Sequence, residues 1–315
     1  MLVAGAGILD DLAAGAKLTP SQAAALASKP AATLADRHRL LGWYAANTDA
    51  QHLEKRFALI LSLAQQGALG RLATHDAARI RRTGADSLAS PAGYAKVKEA
   101  LLERAEKTKL PVDRSNAAWF IFGEEPGEAI KLTAENGLMH DTAVMAAQYL
   151  LGVVDPDGRR SPFGRGLLGL IAETPDPLFQ FTFADTLRRL GAQLYATGKT
   201  DGNYTALANE SLARAAKAEP QQTNCGFEPA ALPARGSTPL SPKPDAANSA
   251  ATGEVSFYAL IGCSGYAVSL EWLEGPAGSV SAAKRQIATR QFQVPIANGT
   301  PTQTVQLLIA GGKSR

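Results

Sequence analysis

Between residues 49 and 66, DAQHLEKRFALILSLAQQ, apolar side chains return at three- and four-residue steps: Leu53, Phe57, Ile60, Leu61 and Ala64. That spacing predicts one apolar stripe on a helix, with Glu54, Lys55 and Arg56 turned from its centre. Asp49 is positioned to cap its start and Gly67 to stop it. The preceding stretch, TLADRHRLLGWYAANT, predicts a second helix, with Leu34, Leu41, Trp43, Tyr44 and Ala45 on its apolar face and Thr33 as cap with Asp36 three residues on. Further helices are expected over 93–107, 126–137, 141–152, 178–198 and 204–218, and residues 20–218 as a whole read as successive helices. Their connections are short and carry Gly, Pro and Asp, as in Asp155-Pro156-Asp157-Gly158, which favours antiparallel neighbours. Two pieces, GYAKVKEALLERAEK and YTALANESLARAAKAEP, look like second helices of tetratricopeptide-type hairpins. No strict 34-residue period runs through them. The expectation is a degenerate, repeat-like helical array over residues 1–218, with a compact bundle as the alternative.

The pattern breaks at residues 219–252. Six of the 18 prolines fall in this stretch, beside one aromatic, Phe227. Such a segment has too little apolar surface to offset its ordering entropy, and it reads as a linker. From Gly253 the period becomes two. Val255, Phe257, Ala259 and Ile261 alternate with Glu254, Ser256, Tyr258 and Leu260. Cys263-Ser264-Gly265 makes a turn, and Val268, Leu270 and Trp272 alternate again, which is a hairpin pattern. Helical spacing follows through Val280, Ala283 and Ile287. Asn298-Gly299 is a tight-turn dipeptide, and TPTQTVQLLIAG closes as a strand. The expected fold is multidomain: an all-α, repeat-like N-terminal domain, a Pro-rich linker, and a small α+β domain of ββαβ order over residues 253–315.

Residues 253–311 resemble the C-terminal domain of the TonB family. The features carrying the likeness are the strand Gly253–Ile261, Gly265 in the turn, the strand Val268–Leu273, Gly275-Pro276 before the helix, Ala282-Ala283 within it, Asn298-Gly299, and the final strand. Phe292 falls on the aromatic position after the helix. The chain has Arg290 where the family usually has tryptophan, and Pro295 lies one residue beyond the family's proline. The resemblance implies a periplasmic module that pairs with a short segment of an outer-membrane receptor, through an exposed sheet edge offering N–H and C=O groups to an incoming strand. The candidate edge is Thr302 to Ile309, with Thr302, Thr304, Val305, Leu307 and Ile309 as its named positions. Against that stands an edge kept unpaired by Gln303 and Gln306. A linker of 34 residues reaches about 110–120 Å at full extension, short for a force-transmitting arm, so a binding module is expected and not a transducer.

Composition narrows the alternatives. Hydrophobic residues make up 45% of the 315-residue chain and charged residues 19%, which excludes global disorder. A formal net charge of +3, with Arg81-Arg82, Arg159-Arg160 and Arg188-Arg189 dispersed, argues against nucleic acid as partner. No apolar run is long enough for a membrane span. MLVAGAGILDDLAAG lacks a basic n-region, so it is no signal peptide as written. The expected location is the periplasm or cell envelope, or the cytoplasm if this start is genuine.

Catalytic constellations do not emerge. His38, His52, His75 and His140 have neither HxxxH nor HExxH spacing, and each is expected at a surface or helix end. Gly262-Cys263-Ser264-Gly265 lies between two strands, where a nucleophile elbow would need a strand and a helix. Glu124, Glu125 and Glu128 surround a helix start, where acidic groups meet the dipole favourably. Trp43, Tyr44, Trp119, Phe120 and Phe122 are expected to pack in the core, with a ligand groove between helices as the alternative. Cys225 and Cys263 form no CxxC motif; they either bridge or stand as unrelated thiols. No cofactor or metal is expected. The chain reads as a non-enzymatic cell-envelope protein that binds other proteins. The alternative is a small-molecule-binding or enzymatic helical domain with a structural C-terminal accessory.

Overall fold

A computed structural model describes residues 6–29, 32–83, 88–198, 204–217, 254–297 and 300–310. The expected linker, Cys225 within it, and the Asn298-Gly299 dipeptide lie outside these residues. The chain divides into two compact units between Glu125 and Pro126. That break falls inside the helical region, and the second unit joins helices to the C-terminal strands.

The first unit contains α1 (Ala6–Ala16), α2 (Pro20–Ala27), α3 (Leu34–Ala46), α4 (Ala50–Gln65), a 3-10 turn (Gly70–Thr74), α5 (Pro91–Thr108) and α6 (Pro111–Phe122). Polar side chains start most of them. Thr33 accepts from Asp36 N, and the Asp36 carboxylate accepts from Thr33 N at 3.0 Å, closing a capping box. The Lys29 ammonium, 2.8 Å from Asp36, and the Thr33 donors hold that carboxyl down at about 2. Asp49 caps α4 as expected, accepting from His52 N at 3.1 Å. Gly67, at φ 71°, lets the chain turn after α4, and Ala68 N then reaches back to Leu63 O at 2.8 Å.

Two glycines set the α1–α3 contact. A Cβ at Gly15 would overlap the Arg39 carbonyl oxygen, and one at Gly42 would overlap that of Leu12. The backbones therefore approach more closely than any side chain would permit. Trp43 and Tyr44 join Ala23 and Leu40 in a buried cluster capped by Leu18, Leu26 and Leu59. Trp119, Phe120 and Phe122 are also buried, in α6. Between α5 and α6, Asp113 accepts from Arg104 Nε at 2.9 Å and from Thr108 Oγ1 at 2.7 Å.

The second unit begins with α7 (Pro126–Glu135), α8 (Met139–Leu150), α9 (Pro162–Glu173), α10 (Pro177–Ala196) and α11 (Tyr204–Ala216). It continues with β1 (Val255–Ile261), β2 (Ala267–Glu274), α12 (Val280–Ala288), a two-rung ladder of β3 (Ile296–Ala297) with β4 (Thr300–Pro301), and β5 (Thr304–Ala310). The expected order of strand, strand, helix and strand is present, with the small β3–β4 ladder added. The main sheet is antiparallel in the order β2-β1-β5. A mostly helical chain with a small sheet near its C-terminal end matches the coarse layout expected from the pattern.

The sheet is covered on both faces. Val255 and Phe257 pack with Ala283 and Ile287 of α12, joined by Leu270, Trp272, Phe292 and Leu308. The alternate residues Ser256 and Leu260 are buried too, because α10 lies against β1 and β2 on that side. Gly265 (φ 83°) closes the β1–β2 turn, with its N–H bonded to Gly262 O at 2.9 Å.

Candidate functional site

β5 pairs with β1 from Ile261↔Thr304 to Val255↔Ala310 without a register shift. β2 occupies the other side of β1, so β5 is an edge strand. In an antiparallel pair every second residue turns its N–H and C=O outward. Among the described residues no strand accepts those groups from β5. Thr304, Val305, Leu307 and Ile309 all lie on this strand, opposite Ile261, Leu260, Tyr258 and Ser256. Ile309 is 41% exposed. Thr302 precedes the strand, and its N–H and hydroxyl both donate to Pro295 O, at 2.9 and 3.1 Å. Gln303 is buried, with neither side-chain amide atom hydrogen-bonded. Gln306 Nε2 donates to Gln293 O at 2.9 Å, tying the strand to the segment after α12.

A second feature was not expected: ionisable groups buried where the sheet meets the helices. α8 starts at Met139 after Leu138, which has no side chain able to cap it. The cap comes from Glu271 on β2, whose Oε2 accepts the His140 N–H at 2.8 Å. An acceptor at a helix N-terminus satisfies an orphan donor and meets the positive end of the dipole. The His140 ring stacks on Tyr258, the cross-strand neighbour of Glu271, with centroids 3.8 Å apart and planes 11° apart. His140 Nδ1 is 3.5 Å from Asp141 Oδ1. Burial raises the Glu271 carboxyl to about 8, and the charges of Asp141 and Asp176 push the same way, against the lowering effect of the His140 and Met139 N–H groups. Its Oε1 is buried with no hydrogen-bond partner. The arrangement holds one proton in a desolvated seam.

Of the four histidines, expected at a surface or a helix end, His38 departs from both, while His140 is buried but stands in the first turn of α8. His38 is 2% exposed and His140 3%. His38 lies on the packed side of α3, and His140 beneath the sheet. His52 is half-buried beside Asp49, and His75 Nδ1 accepts from Ala77 N at 3.1 Å. Nothing in the local alternation marked Glu271, because its polarity fitted a solvent-facing position on β2.

Cys263 ends the β1 side of the turn, is 9% exposed, and is not a free thiol. Among the described residues no group of three or more His, Cys, Asp or Glu is placed to hold a metal ion, and no helix is long and apolar enough to cross a membrane. No family model matches the chain, and neither a curated protein nor a solved structure matches it.

Proposed function

We propose that this chain is a non-enzymatic binding protein of the cell envelope that accepts an extended segment of a partner protein along β5. One observation carries the reading. Among the described residues β5 is an uninterrupted edge strand, Thr304–Ala310, with no strand beyond it. It has no lysine, no proline and no bulge. An incoming strand would gain main-chain hydrogen bonds from the outward amides and bury Ile309 and its neighbours. The helices behind the sheet hold that edge rigid, which lowers the entropic cost of docking. The likeness of residues 253–311 to TonB C-terminal domains supports the same mode and a periplasmic setting, with an outer-membrane receptor segment as one partner class.

The test is hydrogen exchange on the full chain with envelope proteins captured by it. The expected result is protection of the amides of residues 304–310 on binding, lost together with capture when Ile309 is replaced by lysine. A partner that protects residues 6–125 and leaves β5 unchanged overturns the reading. So does undiminished capture by I309K.

A second reading, favoured by the Glu271 cap on α8, makes the sheet a structural accessory that completes the helical core. It predicts no change in β5 exchange with any envelope fraction.

A further inference from the structure

One end of the sheet gathers exposed side chains of two kinds. Ile261 pairs with Ala267 across the β1–β2 turn and with Thr304 at the start of β5, so this end carries the turn. The chain leaving α12 is fastened to it. Gln291 Nε2 donates to Ser264 O at 2.9 Å, Phe292 N to Gly265 O at 2.7 Å, and Thr302 N to Pro295 O at 2.9 Å. Tyr266, Arg290 and Ile296 each adjoin one of these fastened residues in sequence, and Arg285 stands in the last turn of α12. Ile296 is 71% exposed, the highest value for a large apolar side chain among the described residues, and Tyr266 is 47% exposed. Lys284, Arg285 and Arg290 are exposed too. Among the described residues their side chains meet no carboxylate.

The acidic residues are placed away from this end. No Asp or Glu occurs anywhere in residues 255–270 or 275–315. Glu254 and Glu274 flank the opposite end of the sheet, where Ser256 pairs with Glu274, and Glu271 caps α8. Cations without acids beside them favour a negatively charged partner. Ile296 selects its kind. A nucleic-acid backbone would meet the cations and leave the isoleucine in water. A bilayer of anionic lipids uses both, because headgroups meet the cations while the layer beneath takes the aliphatic side chain. A tyrosine ring, apolar with a polar tip, suits the level between.

We infer that this turn end of the sheet docks on the surface of an anionic lipid bilayer. The contact is peripheral, made by Arg285, Arg290, Tyr266 and Ile296. It is distinct from the outward edge of β5 and does not depend on strand pairing there.

The experiment is flotation of the full chain with vesicles of phosphatidylcholine alone and of an equal mixture with phosphatidylglycerol. Binding is expected to the mixed vesicles only, and it should weaken as salt is raised. Arg290→Gln should weaken it about fivefold, the worth of one interfacial cation. Lys55→Gln removes an exposed cation of the first unit and should leave it unchanged. Ile296→Ser should weaken binding about tenfold through lost apolar burial. In Tyr266→Trp, indole emission should shift to the blue with mixed vesicles and not with poly-glutamate. Equal binding to the two vesicle types overturns the inference. So does an equal loss in Lys55→Gln and Arg290→Gln, or unaltered binding in Ile296→Ser. Capture by poly-glutamate without capture by mixed vesicles would assign the cations to an acidic peptide and overturn it as well.

Discussion

Glu271 Oε2 accepts the backbone N–H of His140 at 2.8 Å, joining two residues 131 positions apart. Its raised pKa makes this joint sensitive to pH. Between about pH 4.3, the ordinary glutamate value, and about 8, the folded chain keeps a proton that the unfolded chain has released. Stability from this group therefore falls as pH rises through that window and is level above it. The groups facing it are Asp141, Asp176, His140 and Tyr258. Chemical denaturation at pH 5 and pH 8.5 should differ by on the order of a few kcal/mol. Glu271→Gln keeps the acceptor for His140 N–H and should flatten that difference. An equal pH slope in wild type and variant would refute the role.

Asp113 is 3% exposed and holds Arg104 and Thr108 together at the α5–α6 junction. Asp113→Ala should cost about 3 kcal/mol in urea denaturation, because it strands a partly buried guanidinium. Asp113→Asn keeps an acceptor and should cost about half as much or less. Equal losses in the two variants would place the effect in packing and not in the ion pair.

The glycines of the first unit offer a paired test. Gly42→Ala drives a methyl group into the Leu12 carbonyl and should destabilise by about 1–3 kcal/mol. Gly7, on α1, has nothing within 4 Å of its would-be Cβ. Gly7→Ala should be neutral or stabilising by up to about 1 kcal/mol, since alanine suits a helix better. Thermal melts of both variants decide the matter, and a stable Gly42→Ala would exclude the tight α1–α3 approach.

Cys263 is not a free thiol, and Cys225 is the other cysteine of the sequence. Their bridge would close a loop worth about 3–4 kcal/mol in chain entropy. Titration of unreduced, denatured protein with a thiol reagent should find no reactive sulfhydryl, and reduction should lower the melting temperature. Two reactive thiols per chain would rule the bridge out.

Helices whose burial is one-sided were readable from the sequence. In α4, Asp49 and the stripe through Ile60 located the element to within a residue, but Arg56, expected to turn away with Glu54 and Lys55, is buried with its Nε donating to Ala77 O. In α6 all eight residues from Ser115 to Phe122 are buried. A helix surrounded by protein has no polar face, so its periodicity vanishes. α9 carries Gly164, Gly166 and Gly169, which depress helix propensity and hide an element stabilised by Ser161 at its cap and by packing at Leu167 and Ile171. In the sheet, strand positions and pairing were legible from the two-residue period. The burial of the Ser256–Tyr258–Leu260 face was not, because it depends on α8 and α10, far away in the chain. The capping role of Glu271 was hidden for the same reason. Thr304, Val305, Leu307 and Ile309 lie on the strand that the alternation predicts, whereas the bonds of Thr302 to Pro295 O have no signature in the local pattern.

The double burial of β1 also orders events during synthesis. The first unit is drawn mainly from the first 125 residues, so it can begin to fold while the rest is still being translated. The second unit must wait. α10 leaves the ribosome long before its covering strands, and β1 acquires its second neighbour only when residue 310 has been made. Contacts across such separations form slowly. In the interval an apolar helical face and half a sheet stand open to neighbouring nascent chains, so chaperone dependence should concentrate in this half of the molecule.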